Sequence, residues 1–75
     1  MNRQIISEQI GSNIKRLRKA HKKTQQEIAD AIGIHRSVYT RYESGAIEIP
    51  APMLAGICGA IGINPAEVFD GVSAQ

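Results

Sequence analysis

Between Ile32 and Gly45 the chain reads IGIHRSVYTRYESG. Wound as a helix, Arg36, Ser37, Thr40, Arg41 and Ser44 fall at i, i+1, i+4, i+5 and i+8 and so share one face. Ile34, Tyr39 and Tyr42 fall on the other side, where they suit a core. An arginine guanidinium donates a bidentate pair to guanine, and a serine or threonine hydroxyl donates or accepts at a base edge. Arg36, Ser37, Thr40 and Arg41 are therefore candidate base-reading residues, with Ser44 placed to meet the sugar-phosphate backbone. Val38 lies at the edge of this helix, either packing or touching a thymine methyl.

Charge along the chain supports a polyanionic partner. The whole sequence carries only +2, but residues 1–41 hold all nine Lys and Arg against three acids (Glu8, Glu27, Asp30), a net of +6. Residues 42–75 hold no base and four acids (Glu43, Glu48, Glu67, Asp70), a net of −4. Lys15, Arg16, Arg18, Lys19, Lys22 and Lys23 crowd into one nine-residue window. One half is suited to an anion and the other to a different task.

The elements that must position these residues follow from periodicity and punctuation. Ile6, Ile10, Ile14 and Leu17 form the stripe of a first amphipathic helix, starting at Ser7 or nearer Asn2 and ending near His21. Gly11 in its middle reads as a weak point, costing about 1 kcal/mol relative to alanine. Thr24-Gln25-Gln26-Glu27 is a capping box that opens a second helix, which Gly33 stops. A third helix runs from about Arg36 to Ser44 and closes at Gly45. An extended connection, Ile47 to Ile49, leads to Pro50 and Pro52 at the start of a fourth helix, with Met53, Leu54, Ile57, Cys58 and Ile61 toward the core. Asn64-Pro65-Ala66-Glu67 starts a fifth, and a tail over 71–75 frays. The reading is one all-α domain over 1–75, its core at about 6–70.

The pair 24–33 and 36–44, turned at Gly33, has the form of a helix-turn-helix, whose second helix enters the DNA major groove. With I-x-x-L-R at Ile14 to Arg18, TQQEIADAIGI at Thr24 to Ile34, R-Y-E-S-G at Arg41 to Gly45 and the pattern from Leu54 to Phe69, most of the chain resembles the phage-repressor and Cro-type (Xre) helix-turn-helix family. The resemblance implies a compact five-helix, lambda-repressor-like domain with helix three as the recognition helix. It implies that Arg36, Ser37 and Arg41 face bases with Thr40 beside them. It also implies that Gln25, with Gln26 next to it, meets a phosphate at the start of helix two, and that Arg18 and Glu43 form a structural ion pair. Three features depart from the family. His35 stands where serine or threonine is usual, so it either caps poorly or approaches a phosphate. Lys23 replaces a commonly apolar residue. The connection Ala46-Ile47-Glu48-Ile49 lacks the bases many relatives aim at phosphates, and Lys22 and Lys23 on the other side are candidate substitutes.

Other functions find little in the sequence. No nucleophile, base and orienting group assemble, no glycine-rich phosphate loop follows a strand, and one cysteine with two distant histidines gives no metal-ligand spacing. No enzyme activity, cofactor, metal or small-molecule substrate is expected. Cys58 reads as a small buried hydrophobe, and Tyr39 and Tyr42 as core residues with exposed hydroxyls. No apolar run approaches the roughly 20 residues that span a bilayer, so a cytoplasmic protein at the nucleoid is expected. The expected partners are double-stranded DNA and a second copy of the chain, because one recognition helix covers few base pairs. Ile63, Pro65, Glu67, Val68 and Phe69 are the candidate dimer contacts, with Val68 and Phe69 the first that the core would claim. The function expected is a sequence-specific transcriptional regulator, a dimeric repressor of phage, restriction-controller or antitoxin type. The alternative is the same fold used as a protein-interaction module.

Overall fold

A computed structural model describes residues 2–72 of the chain. It contains four α-helices: α1 (Arg3–Ala20), α2 (Gln25–Ile32), α3 (Arg36–Ser44) and α4 (Ala51–Ile61), followed by one 3₁₀ turn (Pro65–Phe69). No strand occurs among the described residues. None of these helices is long and apolar enough to cross a membrane. Residues 73–75 of the expected frayed tail lie outside the described residues; within it, Val72 is half-buried.

Each boundary has a local cause. The Asn2 side chain accepts from the Gln4 amide and starts α1 at Arg3, more than a turn before Ser7. Thr24 and Glu27 exchange both bonds of a capping box at α2, and the backbone bond from Thr24 holds the Glu27 carboxyl below its usual range. Pro50 caps α4 and Pro52 sits in its first turn. At the end of α1 the left-handed position falls not on a glycine but on Lys22, at φ 58°. The Lys23 amide there donates back to the Arg18 carbonyl at 3.1 Å.

The core draws on every element. Ile14 and Leu17 of α1, Ile28 and Ala29 of α2, Tyr39 and Tyr42 of α3, Ile57, Cys58 and Ile61 of α4, and Val68 are buried. Helix α1 packs on α3 and on the 3₁₀ turn, while α2 packs on α3 and α4. Burial pushes the Cys58 thiol up.

Three expectations change. The fifth helix is a single 3₁₀ turn, in which the Glu67 amide reaches only three residues back, to Asn64 O at 2.9 Å. Asn13 Nδ2 donates to Val68 O at 2.9 Å and to Asp70 O at 2.8 Å. The Val72 amide, which an α-helix would aim at Val68 O, bonds to Phe69 O instead. Gly11 is no weak point: a Cβ there would stand 2.5 Å from the carbonyl oxygens of both Tyr42 and Glu43. Its missing side chain lets α1 touch the backbone of α3. The Tyr39 hydroxyl, expected at the surface, is buried with the rest of its side chain.

Two stability predictions follow from this geometry. Gly11→Ala forces apart two helices whose contact is backbone on one side, so urea unfolding should show a loss at or above the roughly 1–3 kcal/mol typical of overpacking. Lys22→Gly removes the Cβ penalty of a left-handed residue and should raise stability by about 1 kcal/mol in the same assay.

Candidate nucleic-acid interface

The α2–α3 corner is three residues long. Gly33 takes the left-handed conformation at φ 74°, and the Ile34 amide donates to Ala29 O at 3.0 Å, closing α2. The His35 carbonyl then accepts from the Val38 and Tyr39 amides to begin α3. The His35 imidazole makes no cap bond to the backbone; its Nδ1 lies 3.1 Å from Ser37 Oγ.

A buried ion pair fixes the inner side of α3. Arg18 Nε donates to Glu43 Oε2 at 2.6 Å and Nη2 to Oε1 at 3.1 Å, the fork-on-carboxylate arrangement. Their side chains are 8% and 3% exposed, so both charges are desolvated and need full pairing. They have it: Arg18 Nη1 donates to Lys23 O at 2.8 Å, and Gln25 Nε2 donates to Glu43 Oε1 at 3.0 Å. Burial works to raise the Glu43 carboxyl, but the bonds from Arg18 and Gln25 outweigh it and hold the carboxyl below the usual carboxylate range. The Tyr39 hydroxyl is buried beside both charges. Burial first, then the neighbouring Glu43 carboxylate, pushes its pKa up.

The outer side of α3 is solvent-facing. Arg36, Ser37, Thr40, Arg41 and Ser44 are all exposed, while Tyr39, Tyr42 and Glu43 are buried. With Gln26, Asp30, Ile34 and His35, the first four line one concavity between α2 and α3. Not every polar group on this side is free. The Thr40 hydroxyl lies 3.1 Å from Gln25 Oε1 and 2.9 Å from Arg36 O, and it has one proton to give. Gln25 therefore bridges the buried carboxylate to the outer face. The Ser44 hydroxyl donates to Arg41 O at 3.1 Å and accepts from the Ala46 amide, so it closes α3. Gln26 Nε2 donates to Asp30 Oδ1 at 2.8 Å.

Asp30 was missed from the sequence. It is an acid on the rim of an otherwise cationic concavity, and the signal was its position four after Gln26 on the exposed side of α2. Lys22 is exposed at the α1–α2 corner, whereas Lys23 is half-buried and contributes its carbonyl to Arg18.

The candidate dimer residues divide. Val68 is fully buried under α1 and has no side-chain surface for a second subunit, which removes it from the set. Phe69, expected to follow it inward, is 47% exposed, and Pro65 is exposed too. Ile63 is half-buried against the core. Glu67 spends its Oε2 on the Asn64 amide at 3.0 Å.

Two short helices turned through a left-handed glycine, the second with a locked inner face and a polar outer one, constitute a helix-turn-helix. The chain belongs to the Xre-type helix-turn-helix family, which matches residues 14–68. It is 37% identical over 59 residues to antitoxin PezA of Streptococcus pneumoniae, covering 79% of this chain and 37% of that protein. It is 38% identical over 61 residues to the uncharacterized HTH-type transcriptional regulator YqaE of Bacillus subtilis, covering 81% of this chain and 53% of that one. The chain thus spans between about a third and a half of the length of these relatives. Among solved structures, the clp gene regulator ClgR from C. glutamicum superposes with a TM-score of 0.82 at 24% identity, over 93% of this chain and 96% of that one. The restriction-modification controller protein C.AhdI from Aeromonas hydrophila gives 0.78 at 26% identity, over 83% and 94%.

Removing one buried partner strands the other charge, so Arg18→Met and Glu43→Gln should each cost about 3–5 kcal/mol. Replacing both with apolar residues should cost less than either alone. The carboxyl is lowered in the fold, so its contribution is present above the ordinary glutamate pKa of about 4.3 and is lost as pH falls through the folded value. The difference in urea midpoint between the native chain and Glu43→Gln should therefore shrink as the solution is acidified.

Proposed function

We propose that this chain is the DNA-reading module of a transcriptional regulator, most simply a repressor acting in the cytoplasm as a homodimer on a near-palindromic operator. Helix α3 lies in the major groove, with Arg36, Ser37 and Arg41 toward base edges and Thr40 beside them. The observation that carries this reading is the two-sidedness of α3. Its inner face is tied to α1 and α2 by a desolvated, bidentate ion pair, and its outer face presents two exposed arginines and a serine to solvent. Gln25 and Gln26, at the start of α2, meet one backbone strand where the helix N-terminus favours a phosphate. Lys22 adds charge next to them, while His35 holds Ser37 in place.

Two copies place their recognition helices about one helical turn, ~34 Å, apart on one side of the duplex. Phe69, Pro65 and the exposed edge of Ile63 are the apolar surface the dimer uses, with Glu67 at its rim. Membership of the Xre-type family and the printed names of an antitoxin, a transcriptional regulator and a restriction-modification controller among similar proteins support this class of function.

Alanine substitutions provide the test. Arg36→Ala and Arg41→Ala should each weaken binding to a selected operator by about 1–3 kcal/mol and relax base preference at one position per half-site. Neither arginine has a buried role, so urea midpoints should hold. Equal losses on the operator and on random DNA would contradict base reading and reduce α3 to a generic anion surface.

A further inference from the structure

The connection that leaves α3 presents a problem for a DNA-binding chain. It runs Ala46-Ile47-Glu48-Ile49, with an acid and no base directly after the helix read as entering the groove. The first turns of α1 lie directly on it. Gln4 Nε2 donates to Gly45 O at 3.0 Å, and a Cβ on Gly45 would stand 2.6 Å from Glu8 Cα. Arg3, Gln4 and Ser7 share one surface with Gly45, Ala46 and Glu48. On that surface Arg3 Nη2 is 2.6 Å from Glu48 Oε1, and the two side chains are 84% and 58% exposed.

We propose that Arg3 is a DNA-backbone contact: it supplies the phosphate-binding cation that the connection after α3 lacks, and Glu48 holds it when no DNA is present. This rests on the reading of α3 as the helix in the groove. Several observations carry it. The Arg3 backbone is fixed in a helix that is clamped to the α3 C-terminus, so its guanidinium is carried beside the end of the recognition helix. Its partner is a single exposed carboxylate, an interaction that water and salt weaken and that gives way readily. A phosphate offers the same fork geometry with a stronger field from its neighbours along the strand. Glu48 then has a defined role as competitor: every phosphate contact by Arg3 must displace it.

The test is fluorescence anisotropy of a labelled mixed-sequence duplex over a salt series, with Arg3→Gln, Glu48→Gln, the double variant, and Arg16→Gln as a control. Arg16 is exposed on α1 beside Ala66, Glu67 and Asp70, so the control removes an equal charge from a different surface. Arg3→Gln should shallow the log–log salt slope by about 0.9 per protomer, the loss of one phosphate contact, and Arg16→Gln by clearly less. Glu48→Gln should tighten binding several-fold when Arg3 is present and by much less in the Arg3→Gln background. Urea midpoints of all variants should stay near that of the native chain, since both side chains are exposed. An Arg3→Gln slope equal to the native one, or a loss no larger than that of Arg16→Gln, overturns the inference while leaving the function intact. A native chain that binds no duplex even at low salt overturns both.

Discussion

Arg18 and Glu43 are the interaction on which the arrangement of the helices depends. One charge comes from α1 and the other from α3, and Gln25 of α2 and the Lys23 carbonyl add a hydrogen bond to each. A buried pair of this kind adds little net stability over a well-packed apolar pair, because desolvation offsets most of the attraction. What it supplies is geometric. Any displacement of α3 relative to α1 or α2 leaves a charge unpaired in a desolvated site, so near-native alternatives are penalised.

Fixing the inner face of a helix also fixes its outer face. Arg36, Ser37, Thr40 and Arg41 reach solvent on a nine-residue helix that could not hold its orientation alone, since isolated helices this short are marginal in water. The close crossing at Gly11 contributes from another direction, bringing α1 against the α3 backbone where a larger residue would hold it away. Gln25 connects the two sides: one end of its amide meets the buried carboxylate and the other the Thr40 hydroxyl. A change in the core is thereby transmitted to the surface that meets DNA.

What was legible in the sequence was local. The capping box at Thr24, the glycine stops at Gly33, Gly45 and Gly62, and the prolines before α4 act within a few residues of themselves, and the helices end where those residues sit. The exposed face of α3 follows from helical spacing alone. Apart from the Arg18–Glu43 pair, which the family resemblance implied, pairings between remote residues were hidden. Gly11 reads as a defect until α3 is laid against it, and nothing in the local sequence marks Asn13 as the donor to the carbonyls of Val68 and Asp70. The start at Asn64-Pro65-Ala66-Glu67 is well capped, yet the chain continues from it as a 3₁₀ turn. Glu48 reads as an uncompensated acid because its partner lies forty-five positions away in the first turn of α1. Asp30 escaped notice because its significance depends on the concavity that α2 and α3 enclose together.

A locked α3 that reads sequence does more than attract phosphate. The most direct measurement is fluorescence anisotropy of the native chain on DNA from upstream of its own gene against a scrambled duplex of equal composition, at two salt concentrations. The account predicts a preference on the order of a thousandfold or more for the upstream DNA, kept at the higher salt while non-specific binding falls away. Equal and steeply salt-dependent affinity for both duplexes would contradict base reading at that site, and absence of binding to either at low salt would contradict the whole account.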